Sequence, residues 1–133
     1  MRLLLDTHVA VWAILDDPQL SRHVRDLISD LANTVIVSAA SVWEIAIKHS
    51  LARGRPNDMA ISGSEAVACF RTAGYTILPI SAEHAAGVAS LPDHHSDPFD
   101  RLLVSQANLE TLQLVTADKR LALYGGAILL NRA

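Results

Sequence analysis

Five acidic residues of this 133-residue chain follow short apolar runs or open helical segments: Asp6, Glu44, Asp97, Asp100 and Asp118. Asp6 closes the run Leu3-Leu4-Leu5 and precedes Thr7, while Asp118 follows Leu114-Val115-Thr116-Ala117. Glu44 ends Ser41-Val42-Trp43-Glu44, and Asp97 and Asp100 flank Pro98-Phe99. No Lys or Arg lies within two residues of Asp6 or Glu44. Brought together, such groups repel. Two like charges 4 Å apart cost about 4 kcal/mol at an effective dielectric near 20, and several such pairs would cancel much of a domain's usual stability of about 5–15 kcal/mol. Protonation, separation or a bound cation must compensate. An oxygen-rich cluster without cysteine suits Mg²⁺ or Mn²⁺. Such an ion activates water and neutralises charge developing on a phosphate, and nearby helix N-termini favour the phosphate itself. This is a phosphodiester-cleaving pattern that requires neither a side-chain nucleophile nor a histidine base.

Taken singly, each acid also has a purely structural role open to it. Asp6 is a favoured residue for capping the helix after the first apolar run. Ser41-Val42-Trp43-Glu44 fits a capping box in which Glu44 bonds back to the Ser41 amide. Glu44 also stands four residues before Lys48, a pair worth only about 0.3–0.5 kcal/mol on an exposed helix. Asp97 followed by Pro98 reads as an N-cap with proline at the first helical position, and Asp118 is a further cap candidate. Caps explain each acid but not their conjunction.

The elements that would position these groups alternate in type. Strands are expected at Arg2–Leu5, Thr34–Val37, Tyr75–Leu78, Gln113–Thr116 and Ala127–Leu130, the second of them rich in β-branched residues. Helices are expected at Val9–Leu15, stopped by Asp16-Asp17-Pro18, and at Arg22–Leu31 behind Ser21, with Val24, Leu27, Ile28 and Leu31 at helical spacing. Further helices run from Ser41 to about Ala52, over Ser64–Thr72 with Gly74 at its end, and from Ser81 to about Ala89. Asp97-Pro98 opens another that continues through Leu109, and Lys119–Tyr124 forms a short one. Arg53-Gly54-Arg55-Pro56-Asn57 is the clearest loop. Alternating strand and helix at this spacing predicts a parallel sheet covered on both faces. Ligands of such sheets sit beyond the carboxyl ends of the strands, which is where the acids fall.

Composition narrows the class further. Half of the residues are hydrophobic, enough for a core within a single domain spanning residues 1–133. The lone Cys69 excludes an internal disulfide and cysteine-rich metal centres and fits a reducing compartment. The longest apolar run, Val9 to Leu15, is too short to span a bilayer, and Asp6 interrupts any signal-peptide core. A soluble cytoplasmic protein with no membrane partner is expected. The net charge of −3 does not argue against nucleic acid. If four acids line one cation site, ten remain against eleven Lys and Arg.

Four segments occur in a telling order: Leu3-Leu4-Leu5-Asp6-Thr7-His8; Ser41-Val42-Trp43-Glu44-Ile45; the thirteen-residue block His95 to Ala107, which contains Asp97-Pro98-Phe99-Asp100-Arg101-Leu102-Leu103; and Leu114-Val115-Thr116-Ala117-Asp118. The chain resembles the PIN-domain family, and within it the VapC-type toxins of bacterial toxin–antitoxin pairs, over essentially its whole length. The block from His95 is the most specific of the four. The resemblance implies a three-layer α/β/α fold with a five-stranded parallel sheet and a metal-dependent ribonuclease. It maps the metal-binding and catalytic acids onto Asp6, Glu44, Asp100 and Asp118, with Thr7 and Thr116 as supporting hydroxyls. Asp97 is a cap, an orienter or an extra ligand. Also implied are a homodimer and a small VapB-like antitoxin that covers the active site.

Other residues carry weaker signals. His94 and His95 suggest solvated loop residues, with His95 positioning Asp97. Trp12 and Trp43 are expected in the core or between two copies of the chain, and Cys69 with Phe70 in the core. Lys48, Arg53 and Arg55, together with Arg101, are candidate contacts to an RNA backbone. Two other readings stand beside the ribonuclease: a module that binds Mg²⁺ without hydrolysis, and a DNA nuclease, since only contacts to the 2′-hydroxyl separate the two sugars. A phosphatase with Asp6 as nucleophile fits worse, because that chemistry usually wants a second carboxylate two residues on and His8 stands there.

Overall fold

The computed structural model describes residues 1–132. Strand and helix alternate as β1 (Arg2–Leu5), α1 (Thr7–Leu15), α2 (Arg22–Ser29), β2 (Thr34–Ser38), α3 (Ala39–Ser50), α4 (Gly63–Thr72), β3 (Thr76–Leu78), α5 (Ala82–Gly87), α6 (Pro98–Glu110), β4 (Gln113–Thr116) and β5 (Ile128–Leu130). Short 3₁₀ helices cover Val88–Ser90 and Lys119–Tyr124. The five strands form one sheet in the order β3-β2-β1-β4-β5. Every neighbouring pair is parallel, with Leu4 of β1 opposite Ile36 of β2 on one side and Leu114 of β4 on the other.

Parallel neighbours need crossover connections, and the helices that supply them cover both faces. Alternation along the strands sorts the core into two halves. Leu3, Leu5, Val35, Val37 and Val115 pack with Val9 of α1, Val24 of α2, Ile45 of α3 and Phe70 of α4. On the other face Leu4, Ile36 and Leu114 pack with Leu103, Val104 and Ala107 of α6 and with Leu121. The three-layer α/β/α architecture expected from the sequence is the one found. From β1 the chain winds outward through β2 and β3, then returns to the opposite edge of β1 for β4 and β5. The winding reverses between β1 and β4, and a crevice opens at the carboxyl ends of strands flanking such a reversal.

Several boundaries differ from expectation, each for a local reason. Asp6 Oδ1 accepts the Val9 N–H at 2.9 Å, so α1 begins at Thr7 and not Val9. At the end of α2, Asp30 leaves the helical region and its Oδ1 takes the Ala32 N–H, while Asn33 Nδ2 donates to the Leu27 carbonyl. The helix therefore stops at Ser29, and Leu31 is fully exposed. Ser38, not Ser41, caps α3, its Oγ accepting the Ala40 N–H at 3.0 Å. Helix α5 ends at Gly87, short of Ala89, and passes into 3₁₀ geometry. Cys69 is exposed, contrary to its expected burial beside Phe70, which is in the core. Among the described residues no helix is long and apolar enough to cross a membrane.

Candidate active site

A cleft of about 890 Å³ lies at the carboxyl ends of β1 and β4, and Asp6, Glu44, Asp97, Asp100 and Asp118 all line it. Asp6 is buried where β1 gives way to α1, and it caps that helix with one oxygen. Its other oxygen accepts the hydroxyl proton of Thr116, the last residue of β4. Thr116 Oγ1 in turn accepts the Asp118 N–H at 3.0 Å, so one buried hydroxyl ties the two strand ends together. Glu44 is 4% exposed. Because α3 is capped by Ser38 and starts at Ala39, Glu44 lies well inside the helix and its carboxylate is not spent on a cap. Thr7 Oγ1 donates to Glu44 Oε1 at 2.6 Å, and Lys48 Nζ donates to Oε2 at 2.6 Å. Ser41 Oγ stands 3.0 Å from the Thr7 hydroxyl, a buried neighbour that the capping-box reading had assigned elsewhere.

The other half of the site comes from the segment leading into α6. Asp97 caps α6, its Oδ1 accepting the Phe99 and Asp100 N–H groups at 2.8 and 3.2 Å. Asp100, in the first turn, lines the cleft. His95 is buried, and its Nε2 lies 2.9 Å from Asp118 Oδ2 and 3.2 Å from Asp100 Oδ2. Ligand-type atoms of His95, Asp100 and Asp118 all fall within 4.8 Å of one another. Asp6 and Glu44 share the cleft but stand outside that tightest group.

Crowding leaves its mark on the carboxyls. Burial, then the charges of Asp97 and Asp6, push Asp100 up to about 7, with His95 opposing and Glu44 adding to the shift. Burial also raises Asp6, against the hydrogen bonds from Thr116 and Val9. At Asp118 burial acts upward, but hydrogen bonds from the Arg120 side chain and amide, and from His95, outweigh it and hold the carboxyl down to about 2.

The basic residues divide. Lys48 and Arg55 line the cleft, Arg55 paired with Asp58 at 3.3 Å. Arg53 is exposed in the same loop, its Nη1 on the Ala52 carbonyl. Arg101 is employed inside the fold and not on the cleft: Nη1 donates to the Pro92 carbonyl and Tyr124 Oη at 3.0 and 3.1 Å, and Nη2 to the Val88 carbonyl at 3.1 Å. Sequence reasoning missed Arg120, which lines the cleft and grips both oxygens of Asp118. Its position two residues past a cap was the available signal. Trp12, expected in the core or between copies, lines the cleft with His8 beside it at 6.1 Å between ring centroids. Trp43 is 57% exposed and packs edge-on to Phe99 at 5.0 Å.

Residues 3–127 match the profile of the PIN domain. The chain belongs to the PIN-domain family. PIN domains are in general nucleases, and the acidic cleft described above is consistent with that activity. Solved structures with the same fold include VapBC2 from Rickettsia felis bound to a DNA fragment from its promoter, with 21% identity, a TM-score of 0.69 and 97% of each chain covered. A toxin–antitoxin complex from Klebsiella pneumoniae is similar at 15% identity and a TM-score of 0.67 over 98% of each chain. FitAcB from Neisseria gonorrhoeae is similar at 22% identity and a TM-score of 0.63 over 96% of each chain. No curated protein matches.

The donor set suits the divalent ion that the PIN fold implies. Asp6, Glu44 and Asp100 offer carboxylate oxygens with lone pairs beyond their present hydrogen bonds, whereas the acceptor sites of Asp118 are taken by His95 and Arg120, so Asp118 joins them when the exposed Arg120 side chain releases it. Hard oxygen donors select Mg²⁺ or Mn²⁺.

Proposed function

We propose that this PIN domain is a metal-dependent endoribonuclease, the VapC-type toxin of a toxin–antitoxin pair acting in the cytoplasm. The reading is carried by one observation: Asp6, Glu44, Asp100 and Asp118, scattered over most of the sequence, converge on one cleft where the sheet reverses its winding. Asp6, Asp100 and Asp118, with Glu44 on the inner wall, hold the cation. When bound, Mg²⁺ or Mn²⁺ supplies Lewis acidity towards a phosphodiester and lowers the pKa of water. Thr116 and Thr7 fix the Asp6 and Glu44 carboxylates by hydrogen bonds, and Asp97 holds the first turn of α6 so that Asp100 faces inward. Lys48, Arg55 and Arg120 on the cleft, and Arg53 in the neighbouring loop, meet the backbone of the strand. The choice of RNA over DNA rests on the resemblance to VapC-type toxins.

The partners follow from two surfaces. Seven carboxylates against three Lys and Arg line the cleft, beside Val11, Trp12 and Leu15 of α1. That combination suits a basic, partly apolar segment of a VapB-like antitoxin covering the site. Along α3 and its C-cap, Trp43, Ile47 and Leu51 recur every four residues and are all exposed, a stripe suited to a homodimer contact. Light scattering that returns a monomer removes the dimer.

The deciding experiment replaces Asp6 or Asp100 by Asn. Both variants are expected to keep their fold by circular dichroism and to lose Mg²⁺-dependent cleavage of RNA. Cleavage that survives either change overturns the mechanism. Wild-type protein that gains thermal stability with Mg²⁺ yet turns over no RNA points instead to a module that binds the ion without hydrolysis.

A further inference from the structure

By distance alone, His95, Asp100 and Asp118 form a three-ligand set. The surroundings of the imidazole say otherwise. Its Nδ1 accepts the backbone N–H of Asp97 at 3.1 Å. A ring nitrogen facing an N–H donor must present its lone pair, which leaves the ring proton on Nε2. That nitrogen points between two carboxylates, 2.9 Å from Asp118 Oδ2 and 3.2 Å from Asp100 Oδ2. An N–H cannot ligate a cation, but it donates well to carboxylates that do. The segment carrying it is pinned too, because the Arg101 guanidinium reaches the Pro92 carbonyl at 3.0 Å and the His95 carbonyl at 3.4 Å. Arg120 also grips Asp118, but from a side chain 64% exposed, whereas the imidazole is buried.

We propose that His95 is a positioning residue and not a ligand: its Nε2–H holds Asp118, and at longer reach Asp100, in the orientation that receives the cation. The assignment rests on the reading that the acid cluster binds a divalent ion. It does not depend on RNA being the substrate, so its test uses the metal alone.

Wild-type protein, His95→Ala and His95→Gln are titrated with Mn²⁺ by calorimetry. The wild-type complex is also examined by electron spin echo envelope modulation. Removing a hydrogen-bond partner of a ligand costs about 10–100-fold in metal affinity; that loss is expected in His95→Ala. Gln keeps an N–H donor near the position of Nε2 and is expected to recover most of the affinity. The wild-type Mn²⁺ spectrum should lack the ¹⁴N coupling of a directly bound imidazole. Strong ¹⁴N coupling overturns the assignment, as does a His95→Ala variant with wild-type affinity. If His95→Ala does not fold, the spectrum and the Gln variant decide between the two roles. Wild-type protein that binds no Mn²⁺ ends this assignment and the metal-dependent mechanism together, whereas binding without RNA cleavage ends the ribonuclease reading alone.

Discussion

Thr116 serves two acids with one buried hydroxyl, donating to Asp6 Oδ2 and accepting from the Asp118 N–H. Thr116→Val preserves the shape and removes both bonds. Leaving buried polar groups unpaired costs about 1–3 kcal/mol, and losing a partner of a ligand costs about 10–100-fold in metal affinity; urea unfolding and Mn²⁺ titration should show both, with Thr116→Ser close to wild type. Asp100 sets a pH dependence. Its folded carboxyl keeps the proton up to about 7, against 3.8 as the ordinary value, so folding takes up a proton between these limits. This group therefore subtracts stability from the metal-free protein as pH rises from about 4 to about 7. Binding a cation must displace the same proton, so metal affinity should weaken as pH falls below about 7, with proton release visible when calorimetry is repeated in buffers of different ionisation enthalpy. Asp118 runs the other way: held down to about 2, it adds stability above its ordinary value that is lost as pH falls towards 2. Asp6, Asp97, Asp100 and Asp118 were legible in the sequence because each follows a strand or opens a helix, whereas Glu44, inside α3, was marked by its motif alone. Asp6 and Asp97 both cap helices and line the cleft, since a carboxylate has oxygens enough for two tasks. The contact between His95 and Asp118, 23 residues apart, was not legible, because only the fold brings them together.

Among the elements, the junction of α5 and α6 tolerates little change. A Cβ on Gly87 would stand 2.6 Å from Ser105 Oγ and 3.3 Å from Leu109 Cδ1. That serine hydroxyl donates to the His84 carbonyl at 2.7 Å. Gly87→Ala is expected to destabilise by about 1–3 kcal/mol through overpacking, more than the helix-propensity gain of up to about 1 kcal/mol. Adding Ser105→Ala should recover part of the loss, a non-additivity that chemical denaturation of both variants can measure. The start of α3 shows where sequence reading of elements fails. Ser38 and Ser41 are both good caps, and Ser41 with Glu44 three residues on satisfies the capping-box pattern. Nothing local separates them. What decides is that β2 ends at Ser38, which places its hydroxyl on the Ala40 amide and releases Glu44 to the cleft. Strands and most helices were read within two residues, because alternating burial on both faces of the sheet dictates the residue types.

For the whole molecule, the proposed ion links metal affinity to the stability of the fold. A ligand that binds only the native state at 100 times its Kd adds about 2.7 kcal/mol to stability. Mg²⁺ at that excess should raise the melting temperature of the wild type, and Asp100→Asn should lose most of the increase; equal shifts in both proteins would separate the stabilising ion from this cleft. The strand order also sets a timetable. Asp6 and the central strand β1 leave the ribosome first, while Thr116 and Asp118, which complete the site from the opposite side of the sheet, are translated more than a hundred residues later. Until β4 docks, Asp6 lacks its hydroxyl partner and two strands are missing from the sheet. A nascent chain stalled short of that point carries the first acid without the last and presents an incomplete acidic cleft.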